Sequence, residues 1–163
     1  MKLKVNLLMI ALTLSIVSGR LFAQSEQPYD PALDGHKQIN DAVAKAKAKD
    51  KHVFLMIGGN WCKWCMSFHK FIHENAAIDS TLHADYVFVL LNYSRENKNL
   101  DILADLDYPQ RFGFPVFVIL DADGNRIHTQ NSAYVEKGEG YDEKKVLDFL
   151  KHWSPAAIDP ENY

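Results

Sequence analysis

The chain has 163 residues, 47% hydrophobic and 24% charged, an ordinary globular composition that suits one domain with one core and leaves little room for two. Only two cysteines occur, Cys62 and Cys65, which excludes a multi-bridge disulfide scaffold and a four-thiolate zinc site; 8 glycines and 6 prolines are too few for a collagen-like or disordered chain. The formal net charge of −3 gives no electrostatic reason to expect a nucleic-acid partner.

Residues Met1 to Ala23 read as a secretory signal peptide. Lys2 and Lys4 supply a positive start, Val5 to Val17 is almost wholly apolar, and Leu21-Phe22-Ala23 ends on a small residue. The apolar run is short of the roughly 20 residues a spanning helix needs, and Ser18, Gly19 and Arg20 follow it at once, so no membrane insertion is expected after cleavage. No cysteine follows the run to carry a lipid. Cleavage after Ala23 removes three basic residues and no acidic ones, leaving 15 basic against 21 acidic and a net charge of −6. A periplasmic or secreted protein meets conditions in which thiols oxidise, so the spacing of its two cysteines becomes the main question.

Beyond the leader, Gln24 to Leu33 is polar with Pro28 and Pro31 and reads as a loose lead-in. Asp34 is placed to cap a helix over 36–49, with Ile39, Val43 and Ala46 at helical spacing. His52 to Ile57 is a continuous apolar run closed by Gly58-Gly59, the pattern of a buried central strand. A second helix is expected from near Cys62 to about Asn75, burying Met66, Phe68 or Phe71, and Ile72. Tyr86 to Leu91 is another buried strand and Leu100 to about Arg111 another helix. Val116 to Leu120 runs into the turn signal Asp121-Ala122-Asp123-Gly124, from which Asn125 to Gln130 returns as a hairpin partner. Asp142 caps a closing helix through Trp153. Strands separated by helices imply parallel crossovers, and the hairpin adds an antiparallel edge. The expected class is α/β, a mixed central sheet with helices on both faces.

The chemistry concentrates at Trp61-Cys62-Lys63-Trp64-Cys65. A helix N-terminus presents unpaired N–H groups and the positive end of the helix dipole, so a Cys62 thiolate there is stabilised and its pKa falls below the free value of about 8.5. Lys63 adds a positive charge, and Trp61 and Trp64 can form an apolar rim for a partner. Cys65, almost one turn behind, is close enough to form a disulfide and is partly shielded. This divides the labour: Cys62 exchanges with a substrate disulfide and Cys65 resolves the mixed disulfide. A permanent, inert disulfide is the bland alternative. Metal binding is another, because Cys62, Cys65, His69 and His73 follow a C-x2-C-x3-H-x3-H spacing. On one straight helix those four residues span about 16 Å, too far to surround one ion, which leaves only a smaller Cys62, Cys65, His69 site. Asn92-Tyr93-Ser94 fits a glycosylation sequon, relevant only in a eukaryotic secretory route.

The strand-WCxxC-helix unit at Val53 to Asn75, Gly113-Phe114-Pro115 leading into Val116 to Leu120, and the Asp121 to Gly124 turn together resemble the thioredoxin superfamily, over about Gly35 to Trp153. The resemblance implies the thioredoxin fold over residues 35–153, with 24–34 as a leader segment and 154–163 as a C-terminal tail. It also implies a cis peptide before Pro115, facing the cysteines, and substrate contacts at Phe114. The family's cytoplasmic members carry a buried aspartate six residues before the first cysteine and a lysine beside it; Met56 and Leu90 stand at those places. Their Gly-Pro between the cysteines is Lys63-Trp64 here. The long lead helix, the extended active-site helix and the exported chain look more like small secreted thioredoxin-like proteins, or the C-terminal domain of DsbD, than a housekeeping thioredoxin.

The function expected from the residues and the resemblance is exported thiol:disulfide exchange with protein substrates, the direction of electron flow left open. Cys62 is the nucleophile, Cys65 the resolving thiol, and Trp61, Lys63, Trp64, Phe114 and Pro115 the substrate-binding surface. No cofactor beyond the redox-active disulfide is required. The partners are protein thiols and disulfides and an upstream redox protein, and the chain acts as a monomer. The alternatives are a non-catalytic binding module with a static disulfide and a Cys/His metal carrier.

Overall fold

The structure, a computed structural model, describes residues 27–163; the expected signal peptide and Gln24 to Glu26 lie outside the described residues. Asp34 caps α1 (Gly35–Lys47), its carboxylate accepting the Lys37 N–H at 3.0 Å. β1 (His52–Gly58) is buried at every position and forms an inner strand. Then come α2 (Lys63–Glu74), α3 (Ala76–Asp85) and β2 (Tyr86–Asn92). α4 (Leu100–Asp105) is followed by the hairpin of β3 (Val116–Leu120) and β4 (Arg126–Asn131). A small ribbon of β5 (Glu136–Lys137) and β6 (Gly140–Tyr141) leads into α5 (Glu143–His152), capped by Asp142, and α6 (Pro155–Ile158).

The main sheet has the order β2-β1-β3-β4. Because side chains alternate along a strand, β1 serves two cores at once. Phe54 and Met56 join a cluster with residues of α2, α3 and α5, while Val53, Leu55 and Ile57 join one with α1 and α4. On the first face Phe54 packs edge-on against Phe117 and Phe149, at 5.4 and 5.8 Å between ring centres. A fully buried side chain of this size contributes about 1.5–3 kcal/mol. Helices therefore cover both faces, as the sequence pattern implies.

Several expectations need correction. β2 is parallel to β1, but β3 is antiparallel to it, although a helix separates β2 from β3. The reason lies in α4, which stops at Asp105 instead of continuing to Arg111. Asp107 and Tyr108 take positive φ (58° and 55°) and end the helix. Asp107 forms an ion pair with Arg126, whose backbone partner on β3 is Leu120, the last residue of that strand; the chain then doubles back and enters β3 at Val116, beside Ile57. The helix over 76–85 was not expected. Asn75 closes α2 and opens α3, its side chain accepting the N–H groups of Ala77 and Ile78. On α2 the inward residues are Cys65, Phe68 and Ile72, with Met66 and Phe71 half-buried.

The lead-in is not loose where it is described. Tyr29 is 1% exposed, and Asn60 clamps its backbone: the Tyr29 N–H donates to Asn60 Oδ1 at 3.1 Å, and Asn60 Nδ2 donates to the Tyr29 carbonyl at 2.7 Å. The sequon asparagine Asn92 is buried, its amide donating to Ser94 Oγ and the Asn97 carbonyl, so it is not presented for modification. At the other end Ser154 caps α6, and the tail folds back on itself through Tyr163 Oη to the Ala157 carbonyl. Among the described residues no helix is long and apolar enough to cross a membrane.

Candidate active site

β1 delivers the site. Its last residue, Gly58, pairs with Asn92 at the same end of the sheet where β3 begins, so the ends of three strands converge there. Cys62 is the N-cap residue of α2, with extended backbone (φ −92°, ψ 105°), and its sulfur accepts the N–H of Cys65 at 3.1 Å. A cap position ordinarily held by a hydroxyl or carboxylate is thus held by a sulfur, and a thiolate at that place would gain from the same donor and from the helix dipole. Cys62 and Cys65 are joined in a disulfide with their Cα atoms 5.2 Å apart. Neither is prominent at the surface: Cys62 is 6% exposed and Cys65 fully buried, so Cys62 offers the only access to the bond. Cys62 is therefore recessed from the surface.

The Phe114–Pro115 peptide is cis, with Pro115 buried at the start of β3. Trp61, Phe114 and Tyr93 make one aromatic surface. Trp61 is 59% exposed; its Nε1 donates to the Tyr93 carbonyl at 2.6 Å and its ring meets Phe114 edge-on at 5.5 Å. Phe114 in turn stacks on Tyr93 at 4.7 Å. Next to it lies a cleft of about 530 Å³ lined by Trp61, Tyr93, Ser94, Arg95, Glu96 and Lys98.

Trp64 does not share that rim. It is half-buried and turned the other way, edge-on to Tyr141 at 5.7 Å, and the Tyr141 hydroxyl donates to the Trp64 carbonyl at 3.1 Å. Its neighbour Lys63, the first residue of α2, is exposed. The structure therefore brings Trp61 and Phe114 together, puts Trp64 against the core, and adds Tyr93, Tyr29 and Tyr141, which sequence reasoning did not single out. Tyr93 follows directly on a buried strand, a place at which a site residue could be sought; Tyr29 sits in a polar, proline-flanked stretch with no periodic signal.

Met56, six residues before Cys62, is fully buried and is the register partner of Leu90 on β2. Cys65 and Met56 belong to one apolar cluster, and among the described residues no Asp, Glu, Lys or Arg is buried. Of the histidines considered as metal ligands, His69 and His73 meet edge-on with ring centres 4.6 Å apart, and His73 pairs with Asp79 on α3. Among the described residues no group of three or more His, Cys, Asp or Glu side chains is arranged to hold a metal ion.

Comparison with known proteins agrees with this geometry. A family model described as thioredoxin-like matches residues 34–122. No curated protein matches the chain. Among solved structures, a disulphide isomerase from Xylella fastidiosa Temecula1 superposes with a TM-score of 0.69 at 23% identity, covering 78% of this chain and 96% of that one. A thioredoxin from Thermus thermophilus superposes with a TM-score of 0.51 at 16% identity, covering 69% and 81%. At these identities the likeness concerns the fold. The family match spans more than half of the chain and includes β1, the Cys-x-x-Cys turn, the cis-proline and β3. The chain therefore belongs to the thioredoxin-like family, with a thioredoxin fold and a disulfide-bonded Cys-x-x-Cys pair at the start of a helix.

Proposed function

We propose that the protein is an exported thiol:disulfide oxidoreductase that exchanges disulfides with protein substrates through Cys62. The observation that carries this reading is the closed Cys62–Cys65 bond whose outer sulfur caps α2 and receives the Cys65 N–H. When a thiolate attacks Cys62, the inner sulfur leaves; when Cys62 is itself the attacking thiolate, the helix start and Lys63 favour its charge. Cys65 resolves the mixed disulfide from behind. The Trp61–Phe114–Tyr93 surface and the adjoining cleft dock the substrate segment, with the backbone before Pro115 held in the cis geometry. The leader at Met1 to Ala23 supports a periplasmic or secreted location, where an upstream redox partner recycles the pair.

The test is a pair of variants. Cys62→Ser should abolish reduction of a protein disulfide such as that of insulin, and Cys65→Ser should accumulate a mixed disulfide that resolves slowly. Activity surviving Cys62→Ser would remove the reading.

A further inference from the structure

Among the described residues, two buried side-chain atoms have no hydrogen-bond partner: Gln110 Oε1 and the hydroxyl of Tyr29. The second lies at the redox site. A side-chain carbon built on Gly58 would stand 2.5 Å from Cys65 Sγ and 3.1 Å from Tyr29 Oη, so the hydroxyl and the inner sulfur converge on the same small space above the Gly58 backbone. The Asn60 clamp on the Tyr29 backbone holds the ring there, directly before Trp61 and Cys62.

We propose that the Tyr29 hydroxyl is the hydrogen-bond donor that receives the Cys65 sulfur when the Cys62–Cys65 bond opens, favouring the reduced pair. This rests on the exchange reading above. The step runs as follows. A substrate thiolate attacks Cys62 Sγ; a substrate–Cys62 bond forms, the Cys62–Cys65 bond breaks, and its electron pair departs on Cys65 Sγ. A second substrate thiolate attacks the substrate sulfur of that mixed disulfide and releases Cys62 as a thiolate. Two electrons have then passed from the substrate to the pair, and Cys65 is left as a thiolate that accepts the Tyr29 O–H.

A disulfide sulfur is a weak acceptor, whereas a thiolate is a strong one, and a buried donor left unpaired is costly. The hydroxyl is therefore unsatisfied in the oxidised state and satisfied in the reduced one. The reduced pair would thus have separate donors for its two sulfurs, the Cys65 N–H that already reaches Cys62 and the Tyr29 hydroxyl for Cys65. Burial, with Tyr141 nearby, pushes the Tyr29 phenol well above its ordinary range, so it remains a donor and never acts as the base. The ionisable members of the surrounding cluster are Cys62, Cys65 and the tyrosines Tyr29, Tyr86 and Tyr141, and among the described residues no Asp, Glu, Lys or Arg is buried.

Tyr29→Phe removes the donor and keeps the ring. Its equilibrium constant with glutathione should shift toward the disulfide by about three- to tenfold, the effect of one hydrogen bond. The oxidised variant should melt at or above the wild-type temperature, and the reduced variant below it. In the Cys62→Ser background, where Cys65 is the sole thiol, thiolate absorbance near 240 nm should titrate at higher pH once Tyr29→Phe is added. An unchanged constant, equal destabilisation of both redox forms, or an unmoved Cys65 titration overturns the proposal and leaves the exchange reading standing. A wild-type pair that no thiol buffer reduces overturns the exchange reading and this proposal with it.

Discussion

Cys65 Sγ rests on the backbone of Gly58, so close that a methyl group on that glycine would lie 2.5 Å from the sulfur and 3.1 Å from Tyr29 Oη. The end of β1 is therefore a contact surface for the buried sulfur, and only a residue without a side chain allows it. Gly58→Ala should destabilise the oxidised protein by about 1–3 kcal/mol, the range for overpacking a tight site. Chemical denaturation of the two proteins gives the difference, and thiol titration of the purified variant should show incomplete disulfide closure.

Asn60 ties the segment before α1 to the turn before the cysteines by two hydrogen bonds to the Tyr29 backbone. Asn60→Ala should cost about 1–3 kcal/mol, since it leaves a half-buried N–H and carbonyl without those partners. The same variant should open residues 27–33 to protease at a rate that the wild type does not show, readable by mass spectrometry of the first nicks.

Trp61 is mostly exposed, and its indole is held by the Tyr93 carbonyl and the Phe114 ring without contributing to the core. Trp61→Ala should accordingly change stability by less than about 1 kcal/mol. Exposed aromatics fixed in place are typical anchors for partners, so the rate on a protein disulfide should fall by about tenfold, while exchange with glutathione changes little. Parallel assays with the two substrates separate docking from chemistry.

His128 lies against Trp153, ring on ring at 4.1 Å, and its partial burial lowers its pKa below the ordinary 6.5; the Gln130 amide oxygen works against that shift and Arg126 adds to it. A histidine whose folded pKa is depressed binds its proton more readily in the unfolded chain. Stability should therefore fall as the pH drops through the unfolded value near 6.5 and level off below the folded one. Thermal melts across that window should slope downward toward acid in the wild type and be flatter in His128→Gln.

The sequence pattern carried most of the frame because the strongest signals were physical necessities. An apolar run closed by glycines had to be an inner strand, Asp34 and Asp142 had to serve as caps, and a Cys-x-x-Cys opening a helix had to bring two sulfurs together. What was not legible depended on tertiary context. α3 buries only Ile78 and Leu82, too thin an apolar stripe to announce a helix. α4 is ended by Asp107 and Tyr108 in left-handed backbone, residues that give no warning in the way a glycine does, and the reversed direction of β3 follows from that break. The site was legible in its sulfurs and its proline but not in its surroundings. Trp64 looked like a rim residue by adjacency and packs on Tyr141, and Tyr29 comes from more than 30 positions away in the chain to the same Gly58 backbone that Cys65 Sγ rests on.

The central claim is that Cys62–Cys65 is a working redox couple, and the most direct measurement is its titration in defined thiol buffers, read by the mass of the alkylated protein. The account predicts reversible conversion between disulfide and dithiol with a midpoint above about −300 mV, within reach of cellular thiol systems. A pair that stays oxidised throughout that range would contradict it and mark the bond as a static brace.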